Sequence, residues 1–293
     1  MRVLVTGATG FLGRSVAASL CAHGHEVVAF VRRPVDTPVG IETVTGDVRD
    51  PAAVARAVAG VDGVCHLAAV TRVRDSFTDP ARCWRTNVVG TLNVLDALSA
   101  NGKGGRLVLA STAAVYGVTD RQPINEDAET VPTSPYGRTK LAADEAAADV
   151  ARSGAIGAVS LRAFNIAGAS AGTADPDRTR LIPKVLAVQA GLAAELTING
   201  DGSAVRDFVH VADMAEAFAL ALDACKPGVW SAYNVGSGRR ASVAEVVRIA
   251  EKVTGRSVPV RHLAPADEPA MLLADSSRIR RELDWLPRNS DLK

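Results

Sequence analysis

Tyr136 and Lys140 stand four residues apart in Pro135-Tyr136-Gly137-Arg138-Thr139-Lys140. On a helix that spacing puts both side chains on one face. A phenol near an ammonium is a proton-transfer pair, because the cation favours the phenolate and lets the oxygen take and return a proton near neutral pH. Reversible hydride transfer at a sugar or alcohol carbon needs this, since the hydroxyl proton must move as the hydride does. Thr112, next to Ser111 at the end of an apolar run, offers a third oxygen to orient a substrate hydroxyl or carbonyl. The same pair also occurs on helix surfaces with the tyrosine merely half-buried, so the catalytic reading depends on what accompanies it.

What accompanies it is Thr6-Gly7-Ala8-Thr9-Gly10-Phe11-Leu12-Gly13, between an apolar strand and a helical repeat. Gly7 allows a tight turn, Gly10 leaves room for a pyrophosphate to approach the backbone, and Gly13 permits close helix packing. The spacing is G-x-x-G-x-x-G, and the other reading of these glycines is a tight strand-to-helix joint. As a dinucleotide site it enlists Thr9, Phe11 and Leu12 with the glycines. The second strand ends in Phe30-Val31-Arg32-Arg33, where a carboxylate usually holds the adenosine ribose. Guanidiniums there can fork onto a 2′-phosphate, so Arg32 and Arg33 point to NADP over NAD, unless they are solvated surface charge. Asp47 and Val48 lie where an adenine would be met, although Asp50-Pro51 makes the same stretch a plain helix start.

These residues need a frame. Short apolar runs at Arg2–Thr6, His25–Val31, Ile41–Thr45, Val64–Leu67 and Arg106–Ala110 predict strands. Helical periodicity separates them, over Phe11–Leu20, Pro51–Ala59 and Ala81–Ser99. Pro135–Arg152, with Ser134 as cap, predicts a helix, and Ile156–Arg162 a further strand. Alternation at this pace describes a Rossmann-type α/β fold, a mainly parallel sheet with helices on both faces. Residues 167–180 lack periodicity and read as a loop. A helix at Leu181–Ala190, strands near Glu195–Ile198 and Ala204–His210, a helix at Ala212–Asp223, a strand at Ser231–Val235 and a helix at Val243–Thr254 capped by Ser242 follow. We expect a dinucleotide-binding domain over 1–165 and a smaller, mainly substrate-binding lobe over 166–293, with about 204–240 returning to the large domain.

Composition narrows the classes. Apolar residues make up 47% of the 293, enough for a substantial core, and the 33 basic residues are scattered among 32 acidic ones, which does not predict nucleic-acid binding. Cys21, Cys65, Cys83 and Cys225 are too far apart for a metal or redox motif, so no metal is expected. No apolar run reaches 18 residues, so neither a membrane span nor export is expected, and the location expected is cytoplasmic.

Together these residues resemble the extended short-chain dehydrogenase/reductase family, within it the NAD(P)-dependent nucleotide-sugar epimerases and dehydratases. The resemblance runs over nearly the whole chain. His66-Leu67-Ala68-Ala69 resembles the family's loop beside the cofactor, with Thr71 beyond it toward the substrate, and Asn87 resembles the asparagine that braces this region. Leu161-Arg162-Ala163-Phe164-Asn165 is similar to the strand whose asparagine meets the substrate diphosphate. The run from Gly200 to Asp213 is also family-like, with Arg206 in the place of a diphosphate clamp. Dehydratases place an Asp-Glu pair after the catalytic hydroxyl; Ala113-Ala114 here speaks against 4,6-dehydration, and the Asn165 loop resembles that of UDP-galactose 4-epimerases. Arg32-Arg33 departs from the acidic residue that keeps NAD in epimerases. Ala264-Pro265 stands where a second diphosphate arginine is expected, which leaves Arg261 to compensate.

The resemblance thus implies a nucleotide-sugar 4-epimerase. Tyr136 would take the O4 proton, Thr112 would hold O4 and Lys140 would bind the nicotinamide ribose. The alternative with the same residues is an NADPH-dependent ketoreductase of a 4-keto sugar nucleotide or another small carbonyl compound; a non-catalytic cofactor-sensing protein is a third. A homodimer through the helices around Ala81–Ser99 and Pro135–Arg152 is implied as well.

Overall fold

The computed structural model describes residues 1–34, 41–102, 104–170, 172–265 and 268–292. The predicted loop at 167–180 and the segment before the last helix therefore include positions, 171 and 266–267, outside the described residues. A seven-stranded sheet is built from β1 (Arg2–Thr6), β2 (Glu26–Val31), β3 (Glu42–Thr45), β4 (Gly63–His66), β5 (Gly105–Thr112), β6 (Ile156–Ala163) and β7 (Trp230–Val235). Its order is β7-β6-β5-β4-β1-β2-β3, and every pairing is parallel. The order reverses between β1 and β4, which places a crevice at the carboxyl ends of those strands. Short apolar runs bury both faces, as parallel strands between helix layers must.

Strand residues alternate between two cores. On one face Val3 and Val5 meet Val16 and Leu20 of α1 (Phe11–Ala22), together with Phe218 and Leu222 of the helix at Val211–Ala224. On the other, Leu4, Val64 and Leu107 meet Val54 and Val58 of α2 (Pro51–Val58), Leu95 and Leu98 of α3 (Gly90–Ala100), and Ala143 and Ala147 of α4 (Pro135–Arg152). Ser134 caps α4 by accepting a hydrogen bond from Gly137 N at 3.1 Å, and Ser242 with Glu245 forms a reciprocal capping box on the helix at Val243–Thr254.

Val73–Thr78 forms a helix not expected from the sequence, the stretch expected as a loop carries a short antiparallel pair, Ala169–Ser170 with Thr173–Ala174, and two expected elements are broken up. The helix expected over Ala81–Ser99 is broken: Pro80–Trp84 starts on an Asp79 cap, Arg85–Val89 widens into a π turn, and α3 follows. Asn87, inside the wide turn, turns its amide away from the helix to a neighbouring loop. The strand expected over Ala204–His210 is two short ones. Val205–Arg206 pairs with Ala241–Ser242 and Met271–Leu272, whereas Phe208–His210 pairs with Asn165–Ala167. Between them the buried Asp207 carboxylate accepts hydrogen bonds from Ser237 N and Oγ, Gly238 N and Ala274 N. The chain changes partner at this residue: Asp207 N donates to Leu272 O and Asp207 O accepts from Asn165 N, each at 3.0 Å.

Candidate active site

A continuous cleft of about 1820 Å³ runs along the carboxyl ends of the strands. Single small-molecule sites occupy roughly 300–1,000 Å³, so this volume fits two nucleotide-sized molecules laid end to end.

One arm lies on the glycine turn. Gly7 has φ +70, a conformation that a side chain resists, and a Cβ there would sit 2.9 Å from Ala68 N. A Cβ on Gly13 would lie 2.1 Å from the Gly7 carbonyl oxygen. The turn therefore exists because those positions are glycine, and it aims the start of α1, whose Gly10 cap has no side-chain partner, at the cleft. Such a terminus is an anion site. Thr9, Phe11 and Leu12 line it with the glycines, and Arg32, Asp47 and Val48 line its far end. Thr6 Oγ1 accepts from Leu67 N and Ala68 N, each at 3.1 Å, and pins Leu67-Ala68-Ala69 along the cleft wall. An uncapped helix start in a cradle too tight for a Cβ fits the pyrophosphate of a nicotinamide dinucleotide. Gly7, Gly10 and Gly13 would hold the phosphates, the Asp47–Val48 end the adenosine, and Leu67–Ala69 with Lys140 the nicotinamide half.

At the midpoint of the cleft Thr112, from the end of β5, meets Tyr136 and Lys140, from the first turns of α4. Burial pushes the Tyr136 phenol up; a hydrogen bond from Thr112 and the charge of Arg180 oppose this. Lys140 is buried and donates to the Ala110 carbonyl at 2.7 Å. Burial draws it down to about 8, with the Asp144 charge acting against that fall. His66, buried beneath, is pushed down to about 3 by burial and by Lys140, which makes it a neutral hydrogen-bonding partner of Thr6 at 2.7 Å. The trio thus holds a phenol near its neutral form by burial, with the Thr112 hydroxyl and the neighbouring Arg180 cation favouring its anion.

The second arm carries Thr71, Ala113, Asn165 and Arg206. Arg206 is oriented by Val205 O and Pro269 O and pairs with Glu268 at 3.0 Å. Asn165 donates to Asp207 O at 3.2 Å. The run Gly200–Asp213 contributes Gly200, Asp201, Ser203, Ala204 and Phe208 to the cleft beside Arg206, while its buried carboxylates Asp207 and Asp213 are scaffold. Asp207 braces three segments, and Asp213 accepts from Arg288 N, Asn289 N and Ser290 Oγ, tying down the C-terminal segment.

Three expected residues are not on the cleft. Arg261 does not line it; its guanidinium pairs with Glu195 beside the parallel strands Leu196–Asn199 and Val260–Leu263, so it is no substitute diphosphate ligand. Arg33 is exposed in the bend that follows β2 and is off the cleft, whereas Arg32 beside it lines the cleft. Asn87 does not line the cleft but holds Val70, which does. It accepts from Val70 N at 2.8 Å and donates to Val70 O and Thr139 Oγ1, which braces the loop against α4. Conversely, the sequence reading passed over Arg180 and Lys184, which face the second arm. Arg180 pairs with Asp175, and Arg72, on the opposite wall, pairs with Asp177 across the cleft. The available signal was the density of charge over 175–180 and the lone Lys184 on the otherwise apolar helix that follows.

Comparison with known proteins agrees with this arrangement. Residues 3–236 match the NAD dependent epimerase/dehydratase family. The UDP-glucose 4-epimerase of Corynebacterium glutamicum is 39% identical over 100% of this chain and 93% of its own length, and that of Streptomyces lividans 38% over 99% and 93%. Among solved structures, UDP-glucose-4-epimerase from Stenotrophomonas maltophila with bound NAD and formylated UDP-arabinopyranose superposes with TM-score 0.92 at 33% identity, covering 100% of this chain and 94% of that one. The Brucella ovis UDP-glucose 4-epimerase in complex with NAD gives 0.91 at 35% identity, covering 99% and 94%. With its parallel sheet, glycine turn and Thr112–Tyr136–Lys140 trio, the chain belongs to the NAD dependent epimerase/dehydratase family.

Proposed function

We propose that this enzyme inverts C4 of UDP-glucose through a transient 4-keto sugar, using tightly held NAD. The observation that carries the reading is the meeting of Thr112, Tyr136 and Lys140 where the two arms of the cleft join, with Ala113 and Ala114 in place of acidic side chains. NAD, when bound, supplies a reversible hydride acceptor and a positive ring near the phenol. The Tyr136 oxygen, as the anion that Thr112, Arg180 and the positive ring of bound NAD would favour, takes the O4 proton as the carbonyl forms and gives it back when the C4 hydroxyl is remade. Thr112 holds O4 through both steps, and Lys140 holds the ribose edge of the cofactor. With no acid–base pair beside Thr112 there is nothing to expel a C6 hydroxyl, so the keto sugar can only be reduced again, from either face once it has turned.

NAD in preference to NADP is supported by the neighbours solved with NAD and by the far end of the first arm. Arg32 lies within electrostatic reach of the Asp47 carboxylate, which accepts from Arg49 N at 2.9 Å and Nη2 at 2.7 Å. A carboxylate thus already offsets part of the Arg32 charge. Protein purified without added cofactor should release roughly equimolar oxidised NAD on denaturation and convert UDP-glucose to UDP-galactose in a coupled assay. A cofactor-free preparation that binds NADPH, ignores NAD and leaves UDP-glucose unchanged would refute the assignment and revive a ketoreductase.

The enzyme is further proposed to be a homodimer. Trp84, Val89 and Leu92 expose 42%, 43% and 39% of their surface along one outer helical edge, an apolar strip that a second copy would cover. Sedimentation should show a dimer that Leu92→Glu converts to monomer; a wild-type monomer at micromolar concentration contradicts it.

A further inference from the structure

Asp144 lies one helical turn beyond Lys140 on α4 and is 1% exposed. It is outside the cleft and takes no part in the mechanism above. One of its oxygens, Oδ2, accepts from Ser111 Oγ at 3.0 Å and from Arg162 Nε at 3.2 Å. Ser111 immediately precedes Thr112 on β5, so this single oxygen joins α4, β5 and β6 directly beneath the catalytic trio. Arg162 is itself held: its Nη1 donates to the Tyr116 hydroxyl at 3.0 Å, and that hydroxyl donates to Asn234 Oδ1 on β7 at 2.7 Å. The Ser160 hydroxyl on β6 also favours the carboxylate, and the residue borders a side cavity of about 350 Å³.

A buried ion pair is weak evidence for stability, because desolvating both charges offsets their attraction. Burial pushes the Asp144 carboxyl up, while the Arg162 charge and the hydrogen bonds from Ser111 and Arg162 oppose this and favour its anion, so a carboxylate built in beneath a catalytic lysine calls for a functional explanation. We propose, resting on the epimerase reading, that Asp144 is a positioning residue that ties the Ser111–Thr112 end of β5 to α4 and presents its negative charge to Lys140. The other groups around Lys140 supply less of it. Burial favours the uncharged forms of Tyr136, on the same helix, and of His66, on β4, and Cys83 on the Pro80–Trp84 helix acts in the same direction as Asp144 but less. Arg162 is a cation turned toward Asp144. Asp144 is thus the larger of the two influences that counter the loss of the Lys140 proton caused by burial.

The direction follows from charge. Removing a carboxylate near an ammonium disfavours the charged amine, so Lys140 gives up its proton at lower pH and the alkaline limb of kcat moves down with it. Asp144→Asn keeps the size of the side chain and an oxygen for Ser111 and Arg162. It should shift both the alkaline limb and the titration of the Lys140 15Nζ resonance, read on protein without substrate, downward by about one pH unit, with kcat at pH 8.5 reduced roughly tenfold. KM for UDP-glucose should stay within about twofold of wild type. Ser111→Ala should lower kcat with no change in either midpoint. If Asp144→Asn does not fold, Arg162→Gln must give the same downward shift, because Asp144 without its counter-ion becomes protonated. A wild-type Lys140 titration in the folded variant overturns the inference. Wild-type protein inactive on UDP-glucose overturns the functional reading instead, since the lysine titration is read without that substrate.

Discussion

Tyr136→Phe is expected to lower kcat for epimerisation by roughly a thousandfold, with bound NAD content and melting temperature near wild type. The substitution removes one oxygen at the midpoint of the cleft and leaves the ring in place. Nothing in the scaffold depends on that oxygen: the bonds that place the residue run from its backbone, with Tyr136 N donating to Ser76 Oγ at 3.1 Å and Tyr136 O accepting from Thr139 Oγ1 at 2.8 Å. The hydroxyl is instead the atom next to Thr112, under the influence of Arg180. A residual rate is expected, because positioning by the cleft survives the loss of the base. The measurement is a progress curve of UDP-galactose formation alongside cofactor release from the same preparation. A variant retaining a tenth or more of wild-type kcat would mean that another group moves the proton.

Gly13→Ala is expected to abolish cofactor retention and with it activity, and to destabilise the fold by about 1–3 kcal/mol. The added carbon would fall 2.1 Å from Gly7 O, 2.8 Å from Gly7 C and 2.9 Å from Ala8 Cα. All three are backbone atoms of the turn, so no side chain can rotate aside, and α1 must move away from the strand that aims it. Gly10→Ala provides the contrast. Its carbon would meet only Gly7 O, at 3.2 Å, so the fold should persist while the approach of the pyrophosphate is obstructed. Thermal unfolding and NAD content measured on both variants separate the effects: Gly13→Ala should lose both, Gly10→Ala mainly cofactor. Wild-type melting and full NAD content in Gly13→Ala would show that the turn is looser than its geometry implies.

The legible parts of this protein were those whose chemistry and geometry are local. The glycine turn could be read because three glycines at fixed spacing between a strand and a helix admit few backbone paths, and only one that brings α1 as close to the Gly7 carbonyl as Gly13 lies. Tyr136 and Lys140 could be paired because a helix sets the geometry of residues four apart, and Ser134 and Ser242 because a cap acts on the next three residues. The order of apolar runs was enough for a parallel sheet with helices on both faces.

Residues whose partners lie far along the chain could not be placed this way. Arg261 looked available for a diphosphate until strand pairing set it beside Glu195. Arg180 and Lys184 looked like loop charge until the chain folded back over Tyr136. Asp144 read as one more charge on a helix, and only the stacking of β5 and β6 beneath it gave it Ser111 and Arg162. Local backbone geometry is encoded within a few residues and so determines the turn, the caps and the catalytic spacing. Which distant charges share a low-dielectric interior is decided only when the sheet assembles, because each such contact depends on strand order and register as well as on the residue itself.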